Sequence, residues 1–221
     1  MPELPSPLPP ETRTVGQVIA ETIRAYGADF WRALPLGLPL AIADQVSIKQ
    51  SLVVQAGVFW ACTPLFALAF VWACSLLHGR PPTWTAFWLA ALIWLPFPAL
   101  RAFFILPGLA WLAFIGMAVP AAIVEGLGFR GALARGRQLG SADYIHALGS
   151  LAAVVVVVGI ADQTLSQLLH SQGSNSQRVA VFGADLVLSP LLFLGGALLY
   201  LDQAARVGSR RATLESQPKE R

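Results

Sequence analysis

Between Ala33 and Leu201, six apolar stretches follow one another with only short polar breaks, and this alternation decides most of what the chain can become. A helix needs roughly 20 residues to cross a hydrocarbon core of about 30 Å. The stretches cover 33–48, 52–77, 84–100, 103–124, 147–169 and 179–201. They predict an all-α polytopic membrane bundle of about six transmembrane helices. The first and third are short and lean on flanking Trp, Pro and Arg residues, while the second is long enough to tilt. Composition agrees, since only 12% of residues are charged, against about a quarter in soluble domains.

Three further segments frame the bundle. Residues 1–13 open with MPELPSPLPP, which lacks the basic-then-apolar order of a signal peptide and reads as a disordered lead. Over 14–32, Val15, Val18, Ile19, Ile23, Tyr26 and Phe30 recur at helical spacing, and Thr14 with Gln17 fits a capping box. This predicts an amphipathic helix lying in the membrane surface, with Phe30 and Trp31 near the water boundary. The long polar connection 125–146 predicts a second interfacial helix, with Phe129, Leu133 and Leu139 on its weakly apolar face. The membrane domain thus runs over 14–206, and 207–221 reads as a disordered tail.

Pro96, Pro98 and Pro107 bracket Arg101 in WLPFPALRAFFILPG. Each removes a backbone donor, so the helix is expected to break there. Either 84–100 and 103–124 form a tight hairpin with Arg101 at its outer tip, or they are a re-entrant pair. Ser189-Pro190 predicts a kink in the last helix.

Loop charge sets the orientation. With the N-terminus inside, Arg13, Arg24, Arg32, Arg80, Arg130, Arg135, Arg137, Arg206, Arg210, Arg211, Lys219 and Arg221 are cytoplasmic, and only Lys49, Arg101 and Arg178 lie opposite. That imbalance predicts that both termini are cytoplasmic. It also explains the sequence pI of about 9.2 without nucleic acid as a partner. The preference for Arg over Lys and the richness in Ala suggest a bacterial, high-GC source and hence a bacterial cytoplasmic membrane.

No HExxH, GxSxG, Walker A or GxGxxG pattern occurs, so no catalytic residue, cofactor or metal site is expected. His78, His146 and His170 are far apart near span boundaries. Cys62 and Cys74 share one apolar stretch and read as packing residues. The informative polar residues are Asp44, Asp162 and Asp185, all placed by the topology in the outer half of the membrane. A carboxylate at mid-membrane costs roughly 2.5–3.5 kcal/mol on insertion scales, so such groups face the bundle interior or a wet cavity. One reading is a polar pocket of Asp44, Asp162 and Asp185, with Arg101 or Arg178, able to take a cation, a proton or a lipid headgroup. The other is structural: Asp44 pairs with Lys49, Asp185 with Arg178, and Asp162 bonds Ser or Gln on a neighbouring helix. On the cytoplasmic side Arg130, Arg135 and Arg137 could contact anionic lipid, or serve orientation alone. Gly159, Gly183, Gly195 and Gly196 allow close helix approach.

The RTVGQ start, Phe30-Trp31-Arg32, the HGRPP turn, VPAAIVEGLGFRGALARGRQLG and the closing ALLYLDQAAR together resemble the multi-pass membrane domain that accompanies some bacterial glycerophosphoryl diester phosphodiesterases, and its stand-alone relatives. The resemblance covers about Arg13 to Arg206. It implies a membrane domain without catalysis of its own, with Glu125-Gly126, Arg135, Tyr200 and Asp202 as structural markers. Two departures are Gly136, where the family shows Ser, and Leu201, where it shows an aromatic residue. Asp202 and Arg206 are spaced for an i,i+4 pair.

Two functional classes follow. One is a non-enzymatic component that organises membrane lipid or anchors a membrane protein partner, including a second copy of itself. The other is a small transporter or permease using the outer carboxylates.

Overall fold

The computed structural model describes residues 9–103, 105–168 and 174–216, and among these there are helices and no strands. Helix α1 (Val15–Ala28) starts with the expected capping box, in which the Thr14 backbone N–H donates to Gln17 Oε1 at 2.8 Å. Its buried stripe is Val18, Thr22 and Tyr26, while Ile23 and Trp31 are exposed. Thr22 sits inside without cost because its hydroxyl donates to the Val18 carbonyl at 2.7 Å.

The expected first span, 33–48, is broken into pieces. A single turn α2 (Phe30–Ala33) passes into a 3-10 turn over Leu34–Gly37 and then the ten-residue α3 (Leu38–Ser47). Pro35 and Pro39 each stand in a first turn, where a missing N–H is harmless. At 1.5 Å per residue α3 covers about 15 Å, half a hydrocarbon core.

The second span is α4 (Leu52–Ala61) and α5 (Thr63–His78), bent by 51° around Cys62, with Pro64 in the first turn of α5. The third divides into α6 (Trp84–Trp94) and α7 (Phe97–Phe103) at the expected prolines. Arg101 lies in α7, and its side chain is outside the described residues. The fourth is α8 (Ile105–Ile115) with α9 (Ala118–Val124), interrupted at Gly116-Met117. Then come α10 (Phe129–Ala142), α11 (Tyr144–Leu168), α12 (Ser174–Leu188) and α13 (Pro190–Ser216), the last two separated by Ser189 as expected from its proline neighbour.

Three stretches are long and apolar enough to cross a membrane: Ile105–Val124, Tyr144–Leu165 and Arg178–Ser209. The bent α4–α5 pair is long and apolar enough only when its two helices are taken together. Their environments differ. In α9, Ala118, Val119 and Ala121 are wholly buried. Helix α11 is peripheral and exposes Val156, Val157, Ile160 and Leu165, an apolar face suited to lipid rather than water.

Backbone approaches backbone at two places. Helix α10 buries Ala132, Gly136, Leu139 and Gly140, while Phe129, expected on its apolar face, is 41% exposed. A Cβ on Gly140 would stand 2.1 Å from the Phe114 carbonyl oxygen, and one on Gly136 2.5 Å from the Ala118 nitrogen. The glycines therefore seat α10 directly on the break between α8 and α9. Gly37 likewise lies against Leu186, where a Cβ would come within 2.1 Å of the carbonyl oxygen. Pro190, four residues after Leu186, has no N–H to bond that carbonyl, so the turn before α3 covers a group the last helix cannot satisfy itself.

Candidate functional site

The broken helices leave a space between them. A cavity of about 280 Å³ lies among α3, α4, α5, α6, α7, α8, α11, α12 and α13. This is near the lower end of small-molecule pockets, about 300–1,000 Å³. Asp44 from α3, Asp162 from α11 and Asp185 from α12 all line it, so the structure brings the three carboxylates singled out from the sequence to one cavity. Asp185 is buried, and Asp44 and Asp162 are half-buried. Asp44 and Asp185 each have an interaction partner of their own. Asp162 Oδ1 is closed to solvent and accepts no hydrogen bond among the described residues.

The rest of the wall is aromatic and aliphatic. Phe66 stacks on Trp94 with centroids 5.4 Å apart and on Phe59 at 5.8 Å, while Phe97 meets Trp94 edge-on at 4.9 Å. All four line the cavity. Trp94 Nε1 is also shut off from solvent without an acceptor. Of the lining residues, Gly159 and Ile105 are the exposed ones and mark its mouth; Val156, Ile160 and Leu106, near them in sequence, are exposed as well.

The remaining candidates fall elsewhere. Arg178 is exposed, and its backbone carbonyl accepts a hydrogen bond from Gln45 Nε2 at 3.1 Å. Lys49 is exposed just past α3 with φ 61°. Among the described residues no group of three or more His, Cys, Asp or Glu could hold a metal ion. The three carboxylates thus line one cavity without converging on a point. His170 lies outside the described residues.

A second polar cluster, at the end of the bundle where the N-terminal segment meets α13, was not foreseen. Arg13, read from sequence as the last residue of a loose lead, donates from Nη1 to Asp202 Oδ1 at 2.9 Å, and Asp202 is fully buried. Arg206 Nη1 donates to Asp143 Oδ2 at 2.8 Å and its Nη2 to the Arg13 carbonyl at 2.9 Å, with His146 Nε2 3.1 Å away. The expected Asp202–Arg206 pair therefore does not close: each finds its hydrogen-bonding partner on another segment. Two residues before Asp202, the Tyr200 hydroxyl donates to Glu125 Oε1 at 2.8 Å, and Arg135 Nε donates to the same oxygen at 2.8 Å. Arg135 also donates to Gln138 Oε1, so it is an internal tie rather than a free lipid contact. Arg130 and Arg137 are exposed, and Arg137 sits 5.8 Å from the centre of the Phe114 ring.

No family model, no curated protein and no solved structure matches the chain.

Sequence reasoning missed Arg13, Asp143, His146 and Gln203, because nothing local announces a partner so far along the chain. It also passed over Trp94 and the phenylalanines, whose spacing reads only as apolar. The one available signal for the α10 contact was the spacing of Ala132, Gly136 and Gly140, small residues four apart.

Proposed function

We propose that this chain is a non-enzymatic protein of the bacterial cytoplasmic membrane that holds a membrane lipid or lipid-like molecule within its helix bundle. In this reading α3 with its preceding turns and the α6–α7 pair complete six crossings, α1 and α10 lie on the cytoplasmic surface, and both termini are cytoplasmic. The observation that carries the proposal is the cavity: three carboxylates from three different helices line a space that is otherwise largely apolar and aromatic. Carboxylates within a membrane are costly, and three of them lining one cavity favour a binding role. The resemblance to the phosphodiesterase-associated membrane domain fits, since its recurring Glu125, Arg135, Tyr200 and Asp202 are used here for internal ties rather than chemistry.

Native mass spectrometry of protein extracted gently from its own membrane tests this. A defined lipid retained by the wild type and lost in Asp162→Asn is the expected result. A protein that arrives empty, or with a stoichiometric protein partner instead, would move the weight to the anchoring role.

A second reading, a small permease, is favoured by the interruptions at Cys62 and Ser189 in helices that line the cavity. Broken helices around a mid-membrane site are the common plan of secondary transporters. Uptake into vesicles of the species retained in native spectra distinguishes a carrier from a holder.

A further inference from the structure

The cavity wall also carries information about what kind of molecule it suits. We infer that it takes an organic monocation with an apolar, acceptor-bearing body, entering sideways from the bilayer, with its charged end at Asp162; this rests on the reading of the cavity as a binding site. Four features point there. Asp162 Oδ1 is closed to solvent and unpartnered among the described residues. A carboxylate in that state is satisfied by a donor or a positive charge, and a second anion would be repelled. The same cavity is lined by Phe59, Phe66, Trp94 and Phe97, and ring faces attract organic cations through their quadrupole.

The space is larger than a bare ion needs. The carboxylates line a cavity of about 280 Å³, and among the described residues no three His, Cys, Asp or Glu side chains gather as a metal cage. A body several bonds long can instead reach from Asp162 to the rings. Trp94 Nε1, also closed off without an acceptor, asks for a carbonyl or similar oxygen on that body. The exposed residues of the lining, finally, are Gly159 and Ile105, and Val156, Ile160 and Leu106 near them in sequence are exposed and aliphatic, which favours the bilayer over bulk water as the route of entry.

Benzoylcholine and its neutral isostere 3,3-dimethylbutyl benzoate share shape and ester and differ only in charge. Equilibrium dialysis of both against the full-length protein in lipid nanodiscs is the test. Saturable binding of one benzoylcholine per chain is expected, with the isostere at least about tenfold weaker. Asp162→Asn should erase that difference while leaving the protein folded. Gly159→Leu, at a mouth position where a Cβ meets nothing within 4 Å, should weaken both compounds together. It also keeps the test alive if the Asn variant fails to fold. Repeating the assay with ethanolamine phospholipid in the nanodisc separates two sources of the same chemistry. Competition identifies a lipid amine head, and no competition a free amine, and either supports the charge class.

Equal binding of the two compounds would overturn the cation assignment and leave the lipid-holding reading intact. Undiminished discrimination in Asp162→Asn would overturn the role of that carboxylate. Failure of both compounds to bind, with no lipid in native spectra, would overturn both readings together.

Discussion

The two ends of this bundle handle buried charge in opposite ways. Where the N-terminal segment meets α13, every acid among the described residues of the cluster has a basic or hydroxyl partner: Asp202 takes Arg13, Asp143 takes Arg206, and Glu125 takes both Arg135 and Tyr200. Around the cavity, Asp162 has a buried oxygen and no ion pair among the described residues, whereas Asp202, whose Oδ2 is likewise buried without a hydrogen bond, is held through its other oxygen. The first arrangement is a fastening, because removing either member leaves the other charge stranded in low dielectric. The second stabilises nothing by itself, and its worth appears only when something else is present. Buried carboxylates of the same type thus divide into structural and receptive by their neighbours, not by depth.

The sharpest way to break this comparison is to make one substitution at both ends. Asp202→Asn should cost about 3–5 kcal/mol, because it leaves the largely buried Arg13 guanidinium uncompensated. Asp162→Asn should change stability by less than about 0.5 kcal/mol or raise it. Thermal unfolding of both variants in detergent reads the difference, and equal losses would abolish the distinction. A smaller effect is expected from packing at the fastened end. Gly140→Ala drives a methyl group into the Phe114 carbonyl and should cost at or above the upper end of about 1–3 kcal/mol. Gly149→Ala in α11, where a Cβ meets nothing within 4 Å, should be neutral or stabilising by up to about 1 kcal/mol. A tolerated alanine at 140 would mean that α10 is free to shift, and the fastened end is then not rigid. The smallest effect is Tyr200→Phe, which removes one hydrogen bond to Glu125 while Arg135 still holds that carboxylate. A loss of about 1 kcal/mol is expected, measured by the same unfolding experiment; a loss as large as that of Asp202→Asn would show that Tyr200, not the ion pairs, fastens this end.

Hydropathy made the helical class and the positions of the apolar segments legible, because both follow from local composition. The prolines at 96, 98 and 190 announced two of the breaks. The division of 33–48 into turns and a ten-residue helix was hidden, since Pro35 and Pro39 in an apolar run look compatible with one continuous span. Asp44, Asp162 and Asp185 could be grouped in one pocket from the expected topology alone, as all three fall toward the expected outer side. The apolar and aromatic remainder of the lining was beyond reach, because it comes from helices far apart in sequence. The opposite cluster was illegible for a different reason. Asp202 and Arg206 have the spacing of a helix pair, and only the fold supplies Arg13 and Asp143 as competitors.

The Arg13–Asp202 contact joins residues 189 positions apart, and Gly37 rests on Leu186. A ribosome adding about 5–20 residues per second takes about 10–40 s between the two halves of such a contact. Throughout that interval Arg13 lacks Asp202 and the seat for Leu186 is empty. Helices α12 and α13 are therefore the ones that close the bundle, and a chain stalled before them has neither the fastening nor the cavity.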